Sequence, residues 1–397
     1  MTNPSASAGG IAAPSRTGGD RGTGTRRSQW WATLALALLV LTAGSACGAA
    51  AFFAQQWRAD WRPHLVRTAA GWRIYPPDVL RFTEPPSLHG SELAAVAGPY
   101  TLLVDLSSGR VRHLGTAPQA GQAFNPLVSD DSVVWMEQSG DSGDTGVPLW
   151  FYDLRSHRRR PITTDSGIQR PACLWGTTGA PFGPYSESST PLVARDFASG
   201  RSVSLGTWCT GGSLVCDGHT VASVLSGLHG LHAQIHVQDL RTGRRLALSP
   251  LGPPRARQRT GIDALALAGH TLVWDQVRTT GDVQDLKSGG FFKGQTIIAM
   301  DLESGRKLVV ARGDTKHRVA LPALTADTVV WVGWWPTSGR QSEALLGRRL
   351  DGSPPFEIAP LGHEAVQWVG ASGDTVAWEV VNGDGGTSYI ETAKVPQ

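Results

Sequence analysis

The 397-residue chain has little lysine, little charge and few cysteines. Five lysines stand against 31 arginines, a codon bias more than a chemistry, and charged residues make up only 17% of the chain, low for a cytosolic enzyme. The net charge of +3 is small for this length, and no basic block dominates. A nucleic-acid surface is therefore a poor fit. The four cysteines, Cys47, Cys173, Cys209 and Cys216, form no Cys-x-x-Cys pair, so zinc-ribbon spacing is absent. No Gly-x-Ser-x-Gly elbow, His-Glu-x-x-His helix, P-loop or Gly-x-Gly-x-x-Gly turn occurs. These absences leave no catalytic residue, metal ligand or cofactor to assign.

What is present is glycine (48), proline (25) and tryptophan (15), a composition that suits a chain with many turns. Residues 1–29 are Ser, Gly, Thr, Pro and Arg with few large apolar side chains, a basic tail that cannot offset its ordering entropy. From Trp30 to Phe53 no charge occurs for 24 positions. At about 1.5 Å per residue such a helix crosses a hydrocarbon core of roughly 30 Å. Trp30, Trp31 and Trp57 lie at its ends, where amphipathic rings favour the interface. Residues 30–53 read as a signal-anchor transmembrane helix, with a cleaved signal peptide or a lipidated Cys47 as the competing readings. Arginines flank the span on both sides, so charge does not orient it. The pair Arg26-Arg27 and the habit of single N-terminal anchors place the C-terminal domain outside the cytoplasm, at the cell membrane.

Residues 54–86 are rich in Trp and Pro and read as a linker, from which Trp72–Tyr75 could donate a strand. Beyond Leu88 the alternation is that of strands. Two phrases recur. The first ends in tryptophan, as in Asp131-Ser-Val-Val-Trp135, His270-Thr-Leu-Val-Trp274, Asp327-Thr-Val-Val-Trp331 and Asp374-Thr-Val-Ala-Trp378. The second is a strand ending in aspartate before a glycine turn, with aspartates at 105, 153, 196, 239, 301 and 351, spaced 48, 43, 43, 62 and 50 apart. A period of about 45 that holds four short strands marks a β-propeller blade. Seven units fit residues 87–397, with six or eight as alternatives. The first unit is short, so ring closure borrows a strand from 72–83.

The Asp327-Thr-Val-Val-Trp331 strand and the Asp301-Leu-Glu-Ser-Gly305-Arg306 turn resemble the TolB-like propeller family, related in fold to the propeller of dipeptidyl-peptidase-type enzymes. The resemblance implies an all-β propeller and little about function. The family's Ser-Pro-Asp-Gly turn is eroded here to Ser129-Asp130-Asp131, Cys216-Asp217-Gly218 or Ser372-Gly373-Asp374. The turn is also similar to quinoprotein-type repeats.

Candidate function lies in the segments after the tryptophan strands, chiefly 276–295 and 332–343, read as long loops on one rim. Trp334, Trp335, Phe291 and Phe292 gather there with Lys293 and Arg278, aromatics beside charges that suit a binding surface for a protein or peptide. Trp334-Trp335 reads equally well as a cap on the core. Arg158-Arg159-Arg160 reads as a solvated turn. The acid and glycine runs at 139–145 and 382–386 read as solvated loops, with calcium as the alternative. Cys173 and Cys216 fall at matching places in adjacent units, and Cys209 is close to Cys216 in sequence; one disulfide among the three, or three thiols, are both open. Two functions compete. One is a membrane-anchored, non-catalytic binding or scaffold protein of the cell envelope. The other is a propeller enzyme, a lyase or quinone-dependent dehydrogenase, with acids and arginines at the central channel.

Overall fold

Strands that bury both faces need neighbours on both sides, and the fold supplies them by closing a ring. The computed structural model describes residues 63–76, 82, 84–98, 100–115, 120–139, 148–162, 171–182, 191–207, 214–225, 234–248, 258–280, 291–337, 340–362, 365–381 and 388–396. All of them belong to the unit Trp61–Gln397. The apolar span 30–53 lies outside the described residues. Among the described residues there is no α-helix, and so none long and apolar enough to cross a membrane.

Strands β1 (His64–Arg67) and β2 (Trp72–Tyr75) come first. Blade 1 is β3 (Ser87–His89), β4 (Glu92–Ala97), β5 (Tyr100–Asp105) and β6 (Arg110–His113). Blade 2 is β7 (Ala120–Val128), β8 (Ser132–Ser139), β9 (Leu149–Asp153) and β10 (Arg158–Ile162). Blade 3 is β11 (Cys173–Trp175), β12 (Thr178–Phe182), β13 (Pro191–Asp196) and β14 (Ser202–Thr207). Blade 4 is β15 (Leu214–Asp217), β16 (Thr220–Leu225), β17 (Gln234–Asp239) and β18 (Arg245–Leu248). Blade 5 is β19 (Gln258–Ala268), β20 (Thr271–Thr280), β21 (Phe291–Asp301) and β22 (Lys307–Gly313). Blade 6 is β23 (Arg318–Leu324), β24 (Thr328–Thr337), β25 (Arg340–Arg349) and β26 (Phe356–Gly362). Blade 7 has only β27 (Ala365–Ser372), β28 (Thr375–Val381) and β29 (Ser388–Lys394) from its own stretch of chain. Each of the first six is an antiparallel meander in chain order, and the seventh runs β27-β28-β29-β2-β1. The chain is a seven-bladed, all-β propeller.

The first unit has four strands of its own, and the strand borrowed for ring closure completes the seventh blade instead. Residues 64–75, inside the segment read as linker, are the outer strands of blade 7. Strand β2 pairs antiparallel with β29, Arg73 opposite Glu391 and Ile74 opposite Ile390. Arg73 Nε donates to Glu391 Oε1 at 2.6 Å, and Trp72 N donates to Thr392 Oγ1 at 2.8 Å. The Trp72 indole then crosses to blade 1 and donates to the Leu106 carbonyl at 2.6 Å. Gly71 sits so close to β29 that a Cβ there would fall 2.3 Å from the Thr392 carbonyl oxygen, so only glycine fits. This seam joins residues more than 300 positions apart in sequence.

The recurring tryptophan phrase fills the gaps between blades. Trp135, Trp274, Trp331 and Trp378 are at most 2% exposed. Leu272 and Trp274 pack on blade 4, while Val273 between them packs on blade 6. Val329 and Trp331 likewise face blade 5, and Val330 and Val332 face blade 7. A strand alternates its side chains, so an unbroken apolar run is what a strand buried on both faces requires.

The second phrase makes the turns. In blade 5 the Asp301 carboxylate accepts the Glu303 and Ser304 amides at 3.1 and 2.6 Å, and Gly305 takes φ 71° to turn the chain. Asp239 repeats this with the Arg241 and Thr242 amides. His157 holds the glycine place in blade 2 with φ 55°. Hydrogen bonds from each turn hold its carboxylate below the usual range: amides lead at Asp153, Asp239 and Asp301, while at Asp105 and Asp196 burial pushes the other way and hydroxyls of Ser107, Ser108, Ser199 and Thr177 outweigh it together with the amides. Blade 6 departs from the spacing read from the sequence. Thr271 pairs with Asp301, but its counterpart Thr328 pairs with Arg349, so Arg349 and not Asp351 holds the repeat's aspartate position. Lys394 holds it in blade 7, opposite Thr375. The charges have traded places: Arg349 pairs with Asp327 at 3.5 Å and Lys394 with Asp374.

Candidate functional site

In a four-stranded meander the first and third connections share one end of the ring, and the second connection shares the other end with the link to the next blade. The glycine turns thus form a lower rim, and the hairpins after the tryptophan strands form an upper rim. Innermost strands from all seven blades line a central channel of about 650 Å³. Leu127, Leu174, Leu214, Leu265, Ala323 and Val369 are among its lining residues. Its ionisable lining residues outside the cysteines are His89, Asp217, His270 and Asp301, from turns of the lower rim or the strand ends beside them. Each is engaged. His89 Nε2 is 2.6 Å from Asp130, Asp217 accepts the Gly269 amide at 2.5 Å, and His270 lies 3.4 Å from Glu303. Among the described residues no three His, Cys, Asp or Glu side chains converge as a metal group.

Cys173 of β11 and Cys216 of β15 are joined by a disulfide in the channel wall, with Cα atoms 5.7 Å apart. It ties the inner strands of blades 3 and 4 across 43 residues of sequence. Cys209 lies outside the described residues.

Among the described residues, 276–280 with 291–295 and 332–337 with 340–343 are paired hairpin strands rather than open loops. Strand β24 pairs with β25 without a break from Thr328–Arg349 to Thr337–Arg340. Strand β20 stays paired with β21 out to Thr280–Phe291. Both hairpins run well past the tryptophan, and they position the residues chosen from the sequence. Strand alternation separates these residues. Trp334 belongs to the face of Val330 and Val332 and packs, half-buried, on the core between blades 6 and 7. Trp335 shares the face of Trp331 and Gly333, toward blade 5, and is half-buried. Gly333 makes room for it: a Cβ there would lie 3.3 Å from the Trp335 ring and 2.8 Å from Leu346. Arg278 is on the face of Trp274 and Gln276, toward blade 4, and is exposed. The chosen residues therefore share a rim and not one surface. Phe291, Phe292 and Lys293 start β21, but their side chains lie outside the described set, as do 140–147 and 382–387.

Arg158-Arg159-Arg160 is not a solvated turn but the strand β10. Arg159 reaches across to the buried Glu137 at 2.9 Å and lies over the Trp150 ring at 3.7 Å. Glu137 also accepts the Trp135 indole N–H at 2.8 Å. The buried acid gives the arginine a partner, which the run of three arginines alone does not reveal.

Two further buried acids come directly after phrase tryptophans. Asp275 accepts the Asp263 and Ala264 amides at 3.0 and 2.7 Å and the Gln295 side-chain amide at 3.0 Å. It supports the bulge where β19 slips between Ile262 and Leu265, and burial pushes its carboxyl up. Glu379 in β28 is pushed up to about 7 by burial. Both positions were legible as acids inside apolar runs, Trp274-Asp275 and Trp378-Glu379.

No family profile matches the chain, and no curated protein matches it. Solved structures do. The β-propeller domain of the Trilobed protease from Pyrococcus furiosus aligns at 10% identity over 81% of this chain and 99% of its own, with a TM-score of 0.53. Acylaminoacyl peptidase from Pyrococcus horikoshii aligns at 10% identity and TM-score 0.53 over 80% of this chain but only 52% of its own. An oligogalacturonate lyase in complex with manganese aligns at 11% identity and TM-score 0.52 over 85% and 96%. At such identity the likeness shows the fold alone. That fold is the one implied by the resemblance to TolB-like and dipeptidyl-peptidase-type propellers.

Proposed function

We propose that the chain is a membrane-anchored, extracytoplasmic propeller that binds a protein or peptide partner of the cell envelope at its upper rim and performs no chemistry of its own. The observation that carries this reading is the pair of long hairpins in blades 5 and 6. Strands β20 and β24 have 10 residues each, against six for β16 in blade 4. Apart from Trp334, which packs on the core between blades 6 and 7, the extra length presents half-buried Trp335 and exposed Arg278. Aromatic and arginine side chains are the residues that most often dominate binding energy.

Three observations support the rest. A disulfide persists in oxidising compartments, which fits a propeller outside the cytoplasm. The uncharged run 30–53 suits an anchor. The ionisable groups of the described channel wall are engaged by turn amides and neighbouring side chains, which favours binding over catalysis there.

The test is capture of partners by the full chain from an envelope extract, repeated with Trp335→Ala. Trp334 is a poor probe, because it packs on the core between blades 6 and 7. The reading expects one partner to be retained by the native chain and lost by the variant. Equal recovery by both sinks the upper-rim assignment.

A further inference from the structure

The face of blade 5 turned toward blade 4 changes character along its length. Low on that face Trp274, Ile298 and Met300 are covered by Ala222, Val224, Ile235 and Val237 of blade 4. Among the described residues β16 ends at Leu225 and β17 begins at Gln234, with 226–233 outside the described set, whereas β20, β21 and β22 are described further upward. Above that level the blade 5 face opens as a cleft of about 190 Å³ lined by Gln276, Arg278, Thr296, Ile298, Val309 and Arg312.

The register orders these groups. Gln276 stands opposite Thr296, and Thr296 opposite Arg312, so an amide, a hydroxyl and a guanidinium form one row across three strands. In the next row Arg278 stands opposite Gly294, which has no side chain. Gly294 takes φ 155°, and a Cβ there would fall 2.8 Å from the Gly313 carbonyl oxygen. The gap beside Arg278 is thus required by the backbone. Arg278 and Arg312 are exposed, and neither is in an ion pair among the described residues.

Two exposed guanidiniums are a donor set for an oxyanion, and the Thr296 hydroxyl borders them. At the base of the cleft Ile298 is fully buried; Val309 is aliphatic and half-buried and suits a stem that carries the charge. We propose that this cleft takes the carboxylate side chain of an acidic peptide, with Arg278 and Arg312 holding the oxygens and the apolar floor holding the methylenes. The partner's being a protein rests on the upper-rim reading; the site itself does not.

The test is calorimetric titration of the full chain, at low salt, with hexaglutamate, hexaglutamine and inorganic phosphate. Hexaglutamate should bind and hexaglutamine should not. Losing one charge-assisted contact weakens binding by about tenfold or more. Arg278→Gln and Arg312→Gln should each show that loss, while Arg306→Gln, on the exposed lower-rim turn of the same blade, should bind hexaglutamate as the native chain does. Absence of hexaglutamate binding overturns the proposal, and so does equal weakening by Arg306→Gln, which would mark unspecific charge attraction. Phosphate binding that needs both arginines, with no hexaglutamate binding, overturns the carboxylate assignment. Because the probe is defined, this result stands apart from the capture experiment: Trp335→Ala can fail there while the titration succeeds.

Discussion

Blades 4 and 5 share an inner scaffold and differ above it. In blade 4 the hairpin strands have six residues each; in blade 5 they have 10 and 11. Where both blades have strands, their facing side chains are apolar and buried. Where, among the described residues, only blade 5 has strands, its side chains are Gln276, Arg278, Thr296 and Arg312. Matched strand length builds core, and unmatched length builds surface. The seam between blades 3 and 4, with short strands on both sides, has the smallest buried cluster among the described residues, and it is the one stapled by Cys173–Cys216.

The largest effect should come from the scaffold. Trp274→Ala empties a fully buried site and should cost about 3–5 kcal/mol in urea unfolding. Trp335→Ala, half-exposed above the core, should cost about 1–2 kcal/mol. Equal losses would erase the distinction between scaffold and rim.

Next comes the stapled seam. Replacing Cys173 and Cys216 together by serine should lower stability by about 2–4 kcal/mol. Thiol reduction of the native chain should lower its melting temperature, and reduction of the double variant should not. An unchanged melting temperature in both would mean that the short blades hold together without the bond.

Glu379 gives a pH-dependent comparison with the turns. Its carboxyl rises from 4.5 unfolded to about 7 folded, so the native state holds a proton that the unfolded chain releases between these values. Its contribution is therefore intact below pH 4.5 and is lost as pH rises toward 7. Glu379→Gln should gain about 2–3 kcal/mol over the native chain at pH 8 and little at pH 4. The turn carboxylates Asp105 and Asp196 act oppositely: their lowered values stabilise above their unfolded pKa and that stability is lost in acid. Melting curves of the native chain and Glu379→Gln across pH 3–8 separate the two; a constant gap between the curves would remove Glu379 as the titrating group.

The smallest effect belongs to the exchanged turn charges. Asp327→Asn breaks an exposed pair with Arg349 and should shift stability by about 0–1 kcal/mol, less in high salt. A larger, salt-independent loss would show that the exchanged charges organise blade 6.

The ring was legible in the sequence because period is a scaffold property. The tryptophan phrase repeats since each blade needs the same two-sided packing, and the expectation of a borrowed strand from 72–83 found the strand at Trp72–Tyr75, though it completes blade 7 and not the first unit. Two features were obscured by similar text with different geometry. Arg349-Leu350-Asp351-Gly352 looks like the aspartate turn, yet the pairing is displaced by two residues, which only the register of β24 on β25 reveals. Trp334-Trp335-Pro336 breaks the alternation expected of a half-buried strand, so it reads as a loop. It is a strand whose faces meet different blades, and that separates Trp334 from Trp335. The Arg278–Arg312 cleft was half visible: Arg278 was a candidate, but Arg312 joins it through two strand pairings that sequence spacing does not encode.

The central claim is that the upper rim of blades 5 and 6 meets the partner and that the regular turns opposite do not. A photo-crosslinking amino acid placed at Trp335, and in a second chain at Arg241 in the lower-rim turn of blade 4, tests this in intact cells. Crosslinks to a discrete partner from position 335 and none from 241 are the expected result. Crosslinks from 241 alone, or the same products from both positions, would contradict it.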